Sequence, residues 1–530
     1  MHQQPITRRM VLTATVIFVL LALFTYQYLL ISRNKQAVPL AVTVSTACNI
    51  WSDIPTRLDL QQYENCHSIT TTTYVGDTAV LGNPQHCLRA SVRLDQYRPS
   101  TGRNWTNVRW GQVQTQCASG EAKTLFDEEL MRNRWRSFSA PELHYRNESR
   151  TTGENVAIVL RTWDDYEYSE NRLAWLRALI AEASLQRKAN YRVFFLVDVK
   201  DPEARLEEDD IGYDQMMRKC VPSEFRDIAF LFNENTLKTW YPAIQEHGAK
   251  DQMYQALQIF SHKFPEYDYI WQLEMDLRFT SHVYDTLQSA TSFAQAQRRR
   301  NLWERNGRFY IPAFHNNSYE NMSQVVDAEI GDRGIWGPVS TRDFEPQGPP
   351  APPRSEIDWG IGEEADLINF MPMIDPIGTG WIYEYDFSGF SDYQATPRRS
   401  SIISITRSSR RLLQLIHEAQ QKRGQWLVSE ATLETFALLH GLKAVTVPHP
   451  IAFGGRMNTE DLDANIHKGP SSNKAGGELP SMLYTYEGWI QGPWVDSSYW
   501  FVGYGAQRVW EAYIKGAHFP PMLLHPVKEK

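Results

Sequence analysis

The chain has 530 residues, 42% of them hydrophobic and 12% aromatic, the composition of a globular protein with room for one large or two ordinary domains. Its formal net charge of -8 speaks against a nucleic-acid binder, because such proteins carry a basic footprint. Seventeen Trp and 25 Tyr suit stacking on sugar rings or bases as well as packing in a core.

Residues 1–10 precede Val11 to Ile31, a 21-residue stretch without charge that is long enough to cross a bilayer. A cleaved signal peptide is the rival reading, but the run exceeds a usual h-region and no small-x-small site follows it. Arg8 and Arg9 nearly balance Arg33 and Lys35, so flanking charge alone leaves the orientation open. Two downstream features favour a lumenal body. Asn104, Asn147, Asn316 and Asn321 head glycosylation sequons. Cys48, Cys66, Cys87 and Cys117 cluster after the anchor, an even number that fits two disulfides of undetermined pairing in an oxidising compartment. Cys220 is left over and expected to be buried. The expectation is a single-pass type II protein of the Golgi or endoplasmic reticulum membrane. It has a cytosolic tail over 1–10, a transmembrane signal anchor over 11–31, a stem or small disulfide-stapled module over 32–150, and the main domain over 151–530.

From Asn155 the pattern changes. Val156 to Leu160 is a continuous apolar run of the kind found in central parallel strands. Ser169 can cap a helix that carries Leu173, Leu176, Leu179, Ile180 and Ala183 on one face. Tyr191 to Val197 predicts a second strand ending at Asp198, Ile228 to Phe232 a third, and Asp251 to Lys263 a helix. Tyr269 to Asp276 predicts a buried strand that closes on two carboxylates. This alternation is the signature of an α/β fold with a mixed, mainly parallel sheet flanked by helices. No GxGxxG or Walker motif occurs, which removes support from dehydrogenase and P-loop readings. Arg298-Arg299-Arg300 is a basic cluster, residues 346–354 a Pro-rich loop, and Asp375 to Trp381 a turn-rich aromatic stretch. Leu412 to Gln421 and Glu430 to His440 predict helices, and Lys443 to Val447 a strand running into Pro448-His449-Pro450.

Glu274 and Asp276 stand at i and i+2, so in an extended backbone both point to one face while Met275 points away. Two convergent carboxylates at the end of a strand can hold a hard divalent cation and leave positions for water and a phosphorylated substrate. An acidic helix start is the competing explanation. The anchor, stem, α/β domain and acidic triplet together resemble Golgi glycosyltransferases of the GT-A type. The strand Tyr269 to Asp276 is similar to the metal-binding strand of fungal α-mannosyltransferases, whose triplet is also Glu-x-Asp. Arg161-Thr162-Trp163-Asp164, Trp271 to Phe279, Leu302 to Asn306 and Gly441 to Val445 resemble a large fungal family of uncharacterised type II membrane proteins, which carries no assigned activity.

The GT-A resemblance implies a metal-dependent transferase moving a sugar from a GDP- or UDP-sugar to a glycan or glycoprotein acceptor. It implies that Glu274 and Asp276 hold Mn²⁺ or Mg²⁺, with His449 as a further ligand, against the donor diphosphate. A structural histidine in a Pro-rich turn is the alternative for His449. The same resemblance implies that Asp198, and Arg161 to Asp165 including Asp164, line the nucleotide pocket, against a surface-loop alternative. An inverting transferase needs a carboxylate base and a retaining one a group beneath the anomeric carbon. Glu363, Glu364 and Asp366 are the local acidic cluster for such a role, Asp375 and Glu430 are further candidates, and a capped helix start explains the cluster as well. Two other readings stay open: a lumenal glycan- or protein-binding protein on a GT-A-like scaffold, and a glycoside hydrolase with paired carboxylates.

Overall fold

The computed structural model describes residues 63–66, 74–99, 102, 104–119, 123–138, 155–185, 191–207, 209–249, 251–379, 381–393, 395–454, 458–467 and 493–529. The expected tail and transmembrane anchor lie outside these residues, as does Cys48. Among the described residues no helix is long and apolar enough to cross a membrane.

The centre is a seven-stranded sheet. Its strands are β1 (Val156–Trp163), β2 (Tyr191–Asp198), β3 (Ala229–Phe232), β4 (Tyr269–Glu274), β5 (Leu367–Asn369), β6 (Ile405–Ser409) and β7 (Ala444–Thr446). They lie in the order β7-β5-β6-β4-β1-β2-β3. Every pairing is parallel except the two made by β6, which runs against β4 and β5. The run Val156 to Leu160 is buried on both faces, as a central parallel strand under two helical layers must be. This is the mixed, mainly parallel α/β architecture that the alternating pattern predicts.

Helices cover both faces: α1 (Glu170–Ile180), α2 (Asp210–Cys220), α3 (Gln255–Lys263), α4 (Val283–Ala296), α5 (Arg410–Arg423), α6 (Ser429–His440) and α7 (Gly505–Ile514). Ser169 caps α1 by accepting from the Arg172 amide, which satisfies one of the donors orphaned at a helix start. Gly441 ends α6 with φ of 67°, a left-handed conformation that favours glycine. Cys220 is free and buried.

The chain passes from β1 to β2 and β3 on one side, then returns to place β4 on the other side of β1. The strand order therefore reverses between β1 and β4, and ligands of open α/β sheets bind outside the carboxyl ends of the strands at such a switch point. Register puts three candidate residues there. Arg161 of β1 is level with Glu274 of β4, and Trp163 of β1 is level with Asp198 of β2.

The described residues before position 150 belong to the same compact unit as those after it. Within it, Val75 pairs with Ile451 across an antiparallel bridge, and Gly76 takes φ of +89°, where a Cβ would stand 1.9 Å from the His449 carbonyl oxygen. Trp135 stacks on Phe230 of β3. Arg93 forms a buried two-pronged pair with Glu182 at 2.7 and 3.0 Å. The polar, aperiodic look of this segment thus conceals an integral layer of the fold. Cys66 pairs with Cys87, and Cys117 is also disulfide-bonded.

Candidate metal centre

β4 stops at Glu274, and Met275-Asp276 forms the turn that follows. Met275 is buried as an anchor while the flanking carboxylates stay partly open. The third member arrives from far down the chain. Leu523–Leu524 pairs antiparallel with Arg278–Phe279, and the next residue, His525, is thereby delivered to the end of β4. Its Nε2 lies 2.9 Å from Glu274 Oε2 and 3.1 Å from Asp276 Oδ1. These ligand atoms all fall within 4.8 Å of one another, and this is the one such cluster among the described residues.

The far side of the His525 ring decides its chemistry. Nδ1 sits 2.5 Å from the Trp500 carbonyl oxygen and 2.9 Å from Ser404 Oγ. A carbonyl only accepts, so Nδ1 carries a proton and Nε2 turns toward the carboxylates, the arrangement by which metal-bound histidines are usually oriented. Ser404 itself is fixed, because its carbonyl accepts from the Glu274 amide at 3.1 Å. Burial works against charge on His525, but Asp276 and Glu274 outweigh it and push its pKa up to about 10. Burial likewise opposes ionisation of Asp276, yet the adjacent His525 holds its carboxyl below the usual range. Two carboxylate oxygens and one imidazole nitrogen suit a divalent cation that accepts mixed oxygen and nitrogen donors, with positions left for other ligands. Such a cation would displace the Nε2 proton, so its affinity would depend on pH.

Two adjoining clefts open beside the triad. The larger, of about 270 Å³, is lined by Glu274, Arg161, Glu430 and a wall of aromatic rings. The smaller, of about 160 Å³, lies over the ends of β1 to β3 and takes in Asp198, Lys200 and again Arg161. Arg161 bridges them, with one guanidinium nitrogen 3.5 Å from Glu274 Oε1 and another 3.1 Å from the Ala249 carbonyl oxygen. Burial raises the pKa of Asp198, although Arg161 counteracts it. Asp164 accepts from the Lys200 amide at 3.2 Å and so ties the loop after β1 to the end of β2.

The remaining sequence candidates lie elsewhere. His449 is fully buried, its pKa pushed down to about 3 by that burial, and neither ring nitrogen has a hydrogen-bond partner among the described residues. It packs on Tyr499, whose ring also packs against His525. The geometry therefore puts His525, not His449, beside the carboxylates. Both histidines follow a short apolar run and precede a proline, so the pattern that selects one selects the other, and only the fold decides between them.

Glu363, Glu364 and Asp366 precede β5, whose first residue is level with Ser408 and, across β6, with Ile270 near the start of β4. They thus occupy the edge of the sheet opposite Glu274. Glu363 holds Arg299 at 2.6 Å, Glu364 holds Arg407 at 2.5 Å and Asp366 holds Arg411 at 2.7 Å. The three carboxylates expected to be catalytic thus stand away from Glu274 and Asp276, each paired with an arginine, which the fold encloses for Arg299 and Arg407 and leaves half-exposed for Arg411. Asp375 pairs with Arg399 at 3.2 Å. Of the acidic candidates outside the triad, Glu430 is the one that lines the larger cleft.

No curated protein matches the chain. A family model described as "Protein of unknown function (DUF3405)" matches residues 85–529, a range that takes in the segment before residue 150 together with the sheet and His525. The chain belongs to this family of unknown function.

Proposed function

We propose that this protein is a metal-dependent glycosyltransferase of GT-A-like fold, which moves a sugar from a GDP- or UDP-sugar to a glycan or glycoprotein acceptor. The observation that carries the reading is the Glu274–Asp276–His525 constellation at the carboxyl end of β4, beside the switch point, with Glu274 lining the larger cleft. A divalent cation held there would neutralise charge on the leaving diphosphate. Arg161 stands where it can bind the same diphosphate from the side of β1, and the bidentate geometry of guanidinium suits phosphate oxygens. Asp198 and Lys200 border the smaller cleft, which suits the nucleoside. Mn²⁺ or Mg²⁺ would serve as the cation, both accepting carboxylate oxygens.

The compartment follows from separate features. The Cys66–Cys87 disulfide supports an oxidising lumen, and Asn104 and Asn316 of the sequons are exposed. With the uncharged stretch over 11–31, this supports a type II membrane protein of the Golgi or endoplasmic reticulum.

Calorimetry of the full-length chain with GDP and UDP, with and without Mn²⁺, tests the reading. One nucleotide is expected to bind only with the metal, and Glu274→Ala and Asp276→Ala are each expected to abolish that binding in a protein that still unfolds cooperatively. If the folded chain binds neither nucleotide, the transferase reading falls.

A further inference from the structure

The larger cleft is lined by two unlike sets of residues. Trp381 and Tyr383 stand edge to face with ring centroids 5.5 Å apart, both half-buried, and the half-buried Phe501 lines the same cleft. Glu274, Arg161 and Glu430 line it too. A lipid tail would leave these charged groups facing hydrocarbon without compensation, a costly arrangement. A pyranose ring matches both sets, because its C–H face packs on aromatic rings and its hydroxyl edge meets charged acceptors and donors.

Glu430 lies in the first turn of α6, and one strand of backbone relates it to the triad. Its carbonyl accepts from the Ser401 amide at 2.8 Å, while the Ser404 carbonyl accepts from the Glu274 amide at 3.1 Å. Three residues of chain span at most about 11 Å, so both carboxylates serve one small cleft. Glu434, one helical turn along, is enclosed completely, and burial pushes its pKa up to about 8. It is therefore mostly protonated at neutral pH.

We infer that this cleft is an acceptor subsite for a pyranose ring, with Trp381 and Tyr383 as its stacking wall and Glu430 as the catalytic base. The inference rests on the transferase reading. The acceptor hydroxyl oxygen bonds to the anomeric carbon of the nucleotide-sugar donor. The bond from that carbon to the diphosphate oxygen breaks, its electron pair leaving with the nucleoside diphosphate. The hydroxyl proton passes to Glu430.

The test uses the full-length chain with Mn²⁺, a panel of GDP- and UDP-sugars, and methyl and p-nitrophenyl glycopyranosides as acceptor probes, reading nucleoside diphosphate release. A glycoside is expected to accelerate release. Glu430→Gln is expected to lower kcat by about 10²-fold or more, with nucleotide affinity unchanged by calorimetry and partial recovery in Glu430→Asp. Trp381→Ala is expected to raise the glycoside KM by about 10-fold, the effect of about 1.4 kcal/mol, with a smaller change in kcat. If the nucleotide binds but no glycoside accelerates release, or if Glu430→Gln turns over normally, the acceptor assignment is overturned while the transferase reading stands. If no nucleotide binds, both are overturned.

Discussion

At the scale of single residues, the orientation of His525 is set by what it cannot do on its buried side. The Trp500 carbonyl takes the Nδ1 proton, so the lone pair available to a cation is on Nε2, between Glu274 and Asp276. His525→Ala is expected to weaken Mn²⁺ binding by about 100-fold or more, and Ser404→Ala, which loosens the ring, by about 10-fold. His449→Phe is expected to leave Mn²⁺ affinity unchanged, and titration of the three variants by calorimetry or paramagnetic relaxation separates these outcomes. Glu434 gives a second, independent prediction. Unfolded, it releases its proton near 4.5, whereas burial in the fold holds the proton up to about 8. Between those values the folded state binds more protons, so stability is full below pH 4.5 and declines as pH rises toward 8. Glu434→Gln keeps an oxygen for the Asn369 amide, which now donates to Glu434 Oε1 at 2.8 Å, and removes the ionisation. Its thermal midpoint is expected to exceed that of the parent by a margin that grows from pH 4.5 to pH 8.

At the scale of elements, the Arg93–Glu182 pair shows how the segment before residue 150 is fastened to the rest. Arg93 also donates to the Phe279 carbonyl at 2.6 Å, and Glu182 accepts from the Val283 amide at 2.8 Å. Two charges with side chains 0% and 1% exposed are tolerable only as a pair, and Arg93→Leu strands the carboxylate. A loss of about 3–5 kcal/mol is expected, measured by denaturant unfolding. This pair was not legible in the sequence, since nothing local marks Arg93 as a partner for a residue 89 positions away. Strands β1, β2 and β4 were legible because burial on both faces demands continuous apolar runs. β6 was not. Ile405-Thr406-Arg407-Ser408-Ser409 looks like a surface stretch, yet every residue of it is buried, because Glu364 neutralises Arg407 and Asp366 accepts from Ser409 at 2.7 Å. The same pairing accounts for Glu363, Glu364 and Asp366, whose acidity drew attention for a reason that belongs to folding. Of the candidate site, Glu274, Asp276, Arg161 and Asp198 were legible because they lie at or near the carboxyl ends of strands. His525 was not, because the run before it is short and its partners are distant.

At the scale of the whole molecule, the centre is stitched from two regions 249 residues apart in sequence. The later region also supports itself: Trp510 Nε1 donates to Glu529 at 2.5 Å, and Trp494 stacks on Trp500 with centroids 4.4 Å apart. Deleting residues 522–530 removes His525, the strand opposite Arg278–Phe279 and the Glu529 contact together. That deletion is expected to abolish Mn²⁺ binding and to lower the thermal midpoint by several degrees, read by calorimetry and by circular dichroism on heating. There is also a consequence in time. A ribosome making this chain completes Glu274 and Asp276 long before it reaches position 525, and the nascent sheet meanwhile presents two carboxylates with no imidazole between them. A site that needs all three is assembled only after translation has passed its last member, so a cation held by all three would be captured after Glu274 and Asp276 have folded and not as they emerge.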